Sequence, residues 1–202
     1  MRINEKTSSG IGVALNEAAL LGVEYDPTRN LIGITFSVLT LPGSKSTEPP
    51  DPRRQIILTD IGRIAAALRE SRWDDLSAKP INFEVSNLLS VVQSFNGQPI
   101  YGWEFINVHD HTFDHWKNPL SLDILPPDGS YENKIMVFQE GATENRHLDL
   151  WIWFGDLLVF DATGGRIEIS DFIAGGKQWW DALHAGDPRT EGHGIVSGKN
   201  HS

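Results

Sequence analysis

In the stretch LDLWIWFGDLLVFD (148–161), Leu148, Leu150, Ile152 and Phe154 alternate with Asp149, Trp151 and Trp153. A period of two puts the first set on one face of a strand and the second on the other. Both faces are largely apolar, which predicts a central strand covered on each side. Gly155-Asp156 reads as a two-residue turn, with Leu157–Phe160 returning as the second arm of a hairpin.

The same periodicity marks further strands. AALLGVEYDPTRNLIGITFSVLTL (18–41) predicts two arms around the turn Asp26–Asn30, where Pro27 fixes φ and Asp26 and Asn30 supply local hydrogen bonds. In the second arm Ile32, Ile34, Phe36 and Val38 alternate with Gly33, Thr35 and Ser37. Strands are expected over 99–108, 120–125, 133–141 and 166–170, with PPDGS as the turn between the second and third. Residues 55–70 support two readings. Ile61, Ile64, Ala65 and Leu68 have helical spacing with Thr59 as a cap, while Arg63–Arg69 also reads as a strand following Ile56 and Leu58. Strand followed by helix is the reading taken. NFEVSNLLSVVQSFNG (82–97) predicts a helix, with Leu88, Val92 and Phe95 on one face, Asn82 as N-cap and Gly97 closing it. GGKQWWDALHAG (175–186) predicts a short helix ending near Gly186.

Residues 1–17 read as a loose lead-in, 18–186 as a single globular domain, and 187–202 as a disordered tail poor in apolar residues. The Pro- and Ser-rich stretch 42–54 reads as a loop; its Gly43-Ser44-Lys45-Ser46 lacks the spacing of a phosphate-binding loop. The expected class is α+β: a mainly antiparallel β-sheet of about ten short strands, with two or three helices packed on a face or edge.

Composition narrows the chemistry. The 202 residues contain no cysteine, which excludes disulfides, thiolate-bound zinc and cysteine nucleophiles. With 17 Lys+Arg against 27 Asp+Glu, the net charge is −10. That opposes nucleic-acid binding, which needs a positive surface to displace counterions, and suits a basic protein partner. No stretch reaches the ~20 apolar residues of a membrane span, and MRINEKTSSG lacks the hydrophobic segment of a signal peptide. The expected location is cytoplasmic, with no membrane contact.

HDHTFDHW (109–116) concentrates three histidines and two aspartates in eight residues. His109 and His111, two apart, project together from a strand; His111 and His115, four apart, share a helix face. A strand-to-helix turn would bring His109, His111, Asp114 and His115 toward one zinc or other divalent ion. The order His-x-His-x-x-Asp-His resembles the metal motif of the metallo-β-lactamase-like hydrolases over these seven residues, with one residue inserted between His111 and Asp114. The resemblance implies further His or Asp ligands downstream, for which His147 and His184 are the candidates. The competing reading is a structural polar loop pinned by Phe113 and Trp116.

Two other features bear on function. Glu104, in YGWEF, is a candidate general acid on a strand that places Tyr101, Trp103 and Phe105 on its opposite face. Trp179 and Trp180 are adjacent on a helix, about 100° apart, so that one of them is available as a binding anchor along with Trp116. The leading expectation is a non-enzymatic acidic binding protein of the immunity or inhibitor type that holds a basic protein partner and needs no cofactor. The alternative is a metal-dependent hydrolase built on His109, His111, Asp114 and His115.

Overall fold

Strands β3 (Arg53–Thr59) and β4 (Arg63–Arg69) pair antiparallel with β8 (Leu157–Asp161) and β7 (His147–Phe154) respectively. The two strand pairs belong to different sheets, yet their hydrogen bonding continues through the bend. Thr59 N–H donates to the Asp156 carbonyl (3.0 Å), Gly155 N–H to Thr59 (2.9 Å) and Gly62 N–H to Trp153 (2.9 Å). Leu58 pairs with Leu157 and Arg63 with Trp153, so residues 59–62 on one side of the corner run against 154–156 on the other, one fewer. That extra residue is a bulge, which bends and twists the ladder. Asp60 absorbs it with φ 53°, the left-handed region where Asp is among the better-tolerated residues.

In this computed structural model, residues 2–42, 50–73, 75, 77–108, 120–142 and 145–193 are described. The remaining elements are α1 (Glu5–Leu15), β1 (Ala19–Asp26), β2 (Leu31–Ser37), a 3-10 turn (Val85–Asn87) running into α2 (Leu88–Gln93), β5 (Leu122–Ile124), β6 (Asn133–Glu140), β9 (Arg166–Ile167), α3 (Ile169–Ala185) and a last 3-10 turn (Pro188–Thr190). One sheet has the order β1-β2-β3-β8-β9 and the other β5-β4-β7-β6. The α+β class with mainly antiparallel sheet therefore holds, with nine strands and three α-helices among the described residues. None of the described helices is long and apolar enough to cross a membrane.

The alternating residues of both sheets meet in one core. Ile32, Ile34, Phe36, Ile56, Leu58 and Val159 from the first sheet join Ile64, Leu68, Ile135, Val137, Leu148, Leu150, Ile152 and Phe154 from the second. Trp151, Ala65 and Ala67 are also fully buried, on the outer face of the four-stranded sheet, where Leu120, Met136 and Trp153 pack against them. Strand β7 is thus central and covered on both sides.

Several expectations are corrected. Residues 148–161 are not a hairpin: Gly155-Asp156 is the corner that sends β8 into the other sheet. Residues 63–69 are a strand, not a helix; both faces of β4 are buried, so its apolar residues carry no period of two. Residues 99–108 make isolated bridges only, Pro99 to Ala19, Ile100 to Gln139 and Ile106 to Ile135, and Gly102 at φ 129° interrupts the run between the last two. Helix α2 buries Leu88 and Val92 as expected, and Phe95 just beyond its end, but it starts too late for Asn82 to cap it. The lead-in over 1–17 is instead helix α1, capped by the Asn4 side chain at Thr7 N–H (2.9 Å) and burying Ile11, Ala14 and Leu15. Its glycines and serines hide the pattern. The expected tail begins packed rather than disordered, since Asp187 binds Arg189 at 2.6 Å and Thr190 is buried; residues 194–202 lie outside those described. Helix α3 is 17 residues long, starting well before the expected segment and ending, as expected, at Gly186 in the left-handed conformation.

Close approach at the corner requires glycine. A Cβ on Gly62 would collide with the Ser130 carbonyl oxygen, and one on Gly129 with the Ile61 carbonyl. Gly62→Ala should destabilise the protein by roughly 1–3 kcal/mol, the usual cost of overpacking. The urea midpoint reads this out, and an unchanged midpoint would refute the tight crossing.

Candidate functional site

After Ile100, the chain follows the edge of β6 but lifts away from it between two hydrogen bonds. Tyr101 N–H donates to Phe138 (3.2 Å) and Met136 N–H to Phe105 (2.8 Å). Between these, Gly102 turns the backbone so that Phe105 points into the core while Trp103 and Glu104 point out. Trp103 is 60% exposed. Its ring lies 5.4 Å from that of half-buried Trp180, centroid to centroid. Trp180 is held in turn by its indole N–H, which donates to the Val13 carbonyl (3.1 Å), and by an edge contact with Trp179 at 4.9 Å. Aromatic pairs of this kind are worth about 0.5–1.5 kcal/mol beyond area burial. The result is an aromatic ledge whose outer ring faces solvent and whose inner ring is fixed to α1 and α3.

Trp179 is fully buried and packs against His193 at 5.6 Å, so it serves as packing rather than as the exposed anchor expected of it. Trp180 keeps part of its ring available. A regular strand would have turned Trp103 to the same side as buried Phe105; the turn at Gly102 points it outward instead. Exposed Glu104 and Asp181 are the chain neighbours of the two ledge tryptophans. Lys177 and His184, one turn to either side of Trp180–Asp181 on α3, are also exposed, and His184 lies 6.3 Å from the Trp180 ring. Tyr101, two residues before Trp103 and 52% exposed, has its ring 6.1 Å from that of Phe138 on β6.

Glu104 also lines a cleft of about 760 Å³ together with Glu5, Ser8, Ser9 and Asn107. The Ser8 hydroxyl is committed to the Ile106 carbonyl (2.6 Å), and no histidine is among the described residues that line the cleft. No described residue set supports Glu104 as a general acid more directly than this.

On the outer face of the four-stranded sheet a polar row is buried: Arg69 on β4 pairs in register with His147 on β7, and Asp149 lies two residues on. The His147 Nδ1 is 3.0 Å from the Ser71 carbonyl, and its Nε2 is 4.0 Å from Asp149. Burial holds the His147 imidazole below its ordinary pKa and the Arg69 cation adds to that, while the Ser71 carbonyl, Glu140 and Asp75 act in the other direction. His147 is therefore neutral at neutral pH and donates to Ser71. Arg69 is lowered by burial, with Asp149 opposing. The sequence signalled this row only as the minority face of the 148–154 alternation.

His109, His111, Asp114, His115 and Trp116 lie outside the described residues. Among the described residues, no group of three or more His, Asp or Glu is placed to hold a metal ion. The proposed downstream ligands are separated, His147 lying within the sheet and His184 on the surface of α3. Comparison with family models, with curated proteins and with solved structures finds no match to the chain.

The His147 environment sets a pH dependence. A group whose folded pKa lies below its unfolded value binds fewer protons when folded, so stability rises with pH across the interval. The contribution is complete above the unfolded value of about 6.5 and is lost as pH falls below it. His147→Gln, which stays neutral, should lose less of its unfolding temperature than wild type between about pH 7.5 and about pH 5.5. Equal losses in the two proteins would contradict a buried neutral imidazole.

Proposed function

We propose that this chain is a non-enzymatic binding protein of the immunity or inhibitor type, working in the cytoplasm, whose Trp103–Trp180 ledge docks a basic protein partner. The observation that carries the reading is Trp103, 60% exposed yet braced by Trp180. An indole held in one orientation before binding loses little entropy on docking, and Trp is enriched among residues that dominate interface energy. Net charge −10 favours a cationic partner by steering and by opposing wrong ones. Glu104 and Asp181 put carboxylates beside the aromatic rings, and Lys177 is the cation that such a partner would have to tolerate. A stable interface needs about 800 Å² from each partner, so Tyr101 and the outward face of α3 belong to the footprint.

The test begins with partners recovered from the source cell on the immobilised chain, followed by calorimetry with the purified candidate. The partner should be basic, and Trp103→Ala should weaken it about 30-fold, the 2 kcal/mol of a hot spot, while costing the fold, as read from the urea midpoint, no more than the about 0.5–1.5 kcal/mol of the Trp103–Trp180 contact. Glu104→Lys with Asp181→Lys should slow association most at low salt. Recovery of no partner, or unchanged affinity in Trp103→Ala, would overturn the reading. Elemental analysis of the untagged protein separates it from metal-dependent hydrolysis at His109, His111, Asp114 and His115, which requires stoichiometric metal.

A further inference from the structure

Helices α1 and α3 run parallel. Gly10 lies against Ile173 and Ala14 against Gly176, so both helices begin at the same end of the molecule. The Trp180 ledge is eleven residues into α3, about 16 Å from that end. At the shared end is a cleft of about 560 Å³, within the range of roughly 300–1,000 Å³ typical of small-molecule sites. Ile3, Leu157, Ile169 and Ile173 form its apolar walls.

We propose that this cleft binds a small organic anion, a monocarboxylate with a short aliphatic body. The charge argument comes from Arg2 and Lys6. On a chain with ten more acidic than basic residues, two exposed cations converge on the mouth of one apolar cleft. Among the described residues neither forms an ion pair. Glu5, the neighbour of Lys6, lines the adjoining cleft with Glu104; Arg2 borders both clefts, while Lys6 lines this one. The one carboxylate among the described lining residues, Asp156, is engaged in an interaction of its own. Thr7 and Ser170 add hydroxyls at the rim.

The first two residues of α3, Ile169 and Ser170, line the cleft; Glu168 at the N-cap and Asp171 in the first turn already supply acidic groups to that helix end, so the selection of an anion rests on Arg2 and Lys6. Two cations above aliphatic walls select the ligand class. A carboxylate head is satisfied by charge-assisted hydrogen bonds from Arg2 and Lys6, and an aliphatic body removes the four apolar side chains from water. Among the described residues, the lining holds no aromatic ring on which a nucleobase would stack.

The experiment titrates octanoate into the full-length chain by calorimetry, with methyl NMR of Ile3, Ile169 and Ile173 as the second readout. Octylamine tests the sign of the charge, and acetate tests the need for the apolar body. Octanoate should bind and shift those three methyl groups, while octylamine and acetate should not. Arg2→Gln with Lys6→Gln should weaken octanoate about tenfold, and both residues are exposed, so the fold is retained. Absence of octanoate binding, equal binding of octylamine, or unchanged affinity in the double variant would each overturn the proposal. None of these outcomes depends on the aromatic ledge or its partner.

Discussion

The bent ladder formed by β3–β4 against β8–β7 is the constraint from which the other features follow. Two antiparallel strands share hydrogen bonds with each other across Thr59, Gly62 and Gly155, and so commit both sheets to one core. A backbone that left the ladder at this point would bury unpaired amides, at a cost comparable to a lost hydrogen bond for each. The one-residue bulge turns the corner without that loss. Asn30 and the turn around Ser130 close over it: the Asn30 side chain donates to the Ile61 carbonyl (3.2 Å), and Ser130 N–H donates to Asp60 (2.8 Å).

Once the corner is set, the positions of the helices are constrained. Strand β8 leads through β9 into α3, and α3 carries α1 on a seam where Gly176 admits Ala14. Asn133, buried next to the corner, holds the opposite end of α1: it accepts from Ile3 N–H (2.7 Å) and donates to the Gly155 carbonyl (2.7 Å). The same arrangement places Trp180 over Val13 and beneath Trp103, and sets Arg2 and Lys6 beside the first turn of α3. The exposed aromatic surface and the cationic cleft are therefore two ends of one helix pair, each presented by a rigid support.

The strands with one exposed face were legible in the sequence. β1, β2 and β6 follow the alternation, β7 shows itself by its long apolar run with both faces covered, and Leu88, Val92 and Phe95 are buried as the helical spacing over 82–97 requires. Three things were not legible. β4 is covered on both sides, so its Ile-Ala-Ala-Ala-Leu run loses the strand period and mimics a helix. The corner resembles a hairpin turn because Gly-Asp suits either, and only pairing with distant β3 decides between them. Helix α1 is built from small and polar residues whose burial depends on α3, some 160 residues away in sequence. At the candidate site, the pairing of Trp103 with Trp180 is tertiary, and a regular strand would have given the opposite exposure at Trp103. The adjacency of Trp179 and Trp180 implies that the two rings face different ways; Trp179 is buried and Trp180 half-buried.

Native-state hydrogen exchange at single-residue resolution addresses the ladder directly. Exchange of the Thr59, Gly62 and Gly155 amides should require the same global opening as the central residues of β7, placing all of them in the slowest class. Rapid exchange at those three positions, at rates typical of surface turns while β7 remains protected, would show two sheets joined by loose connections and would remove the support on which the ledge and the cleft depend.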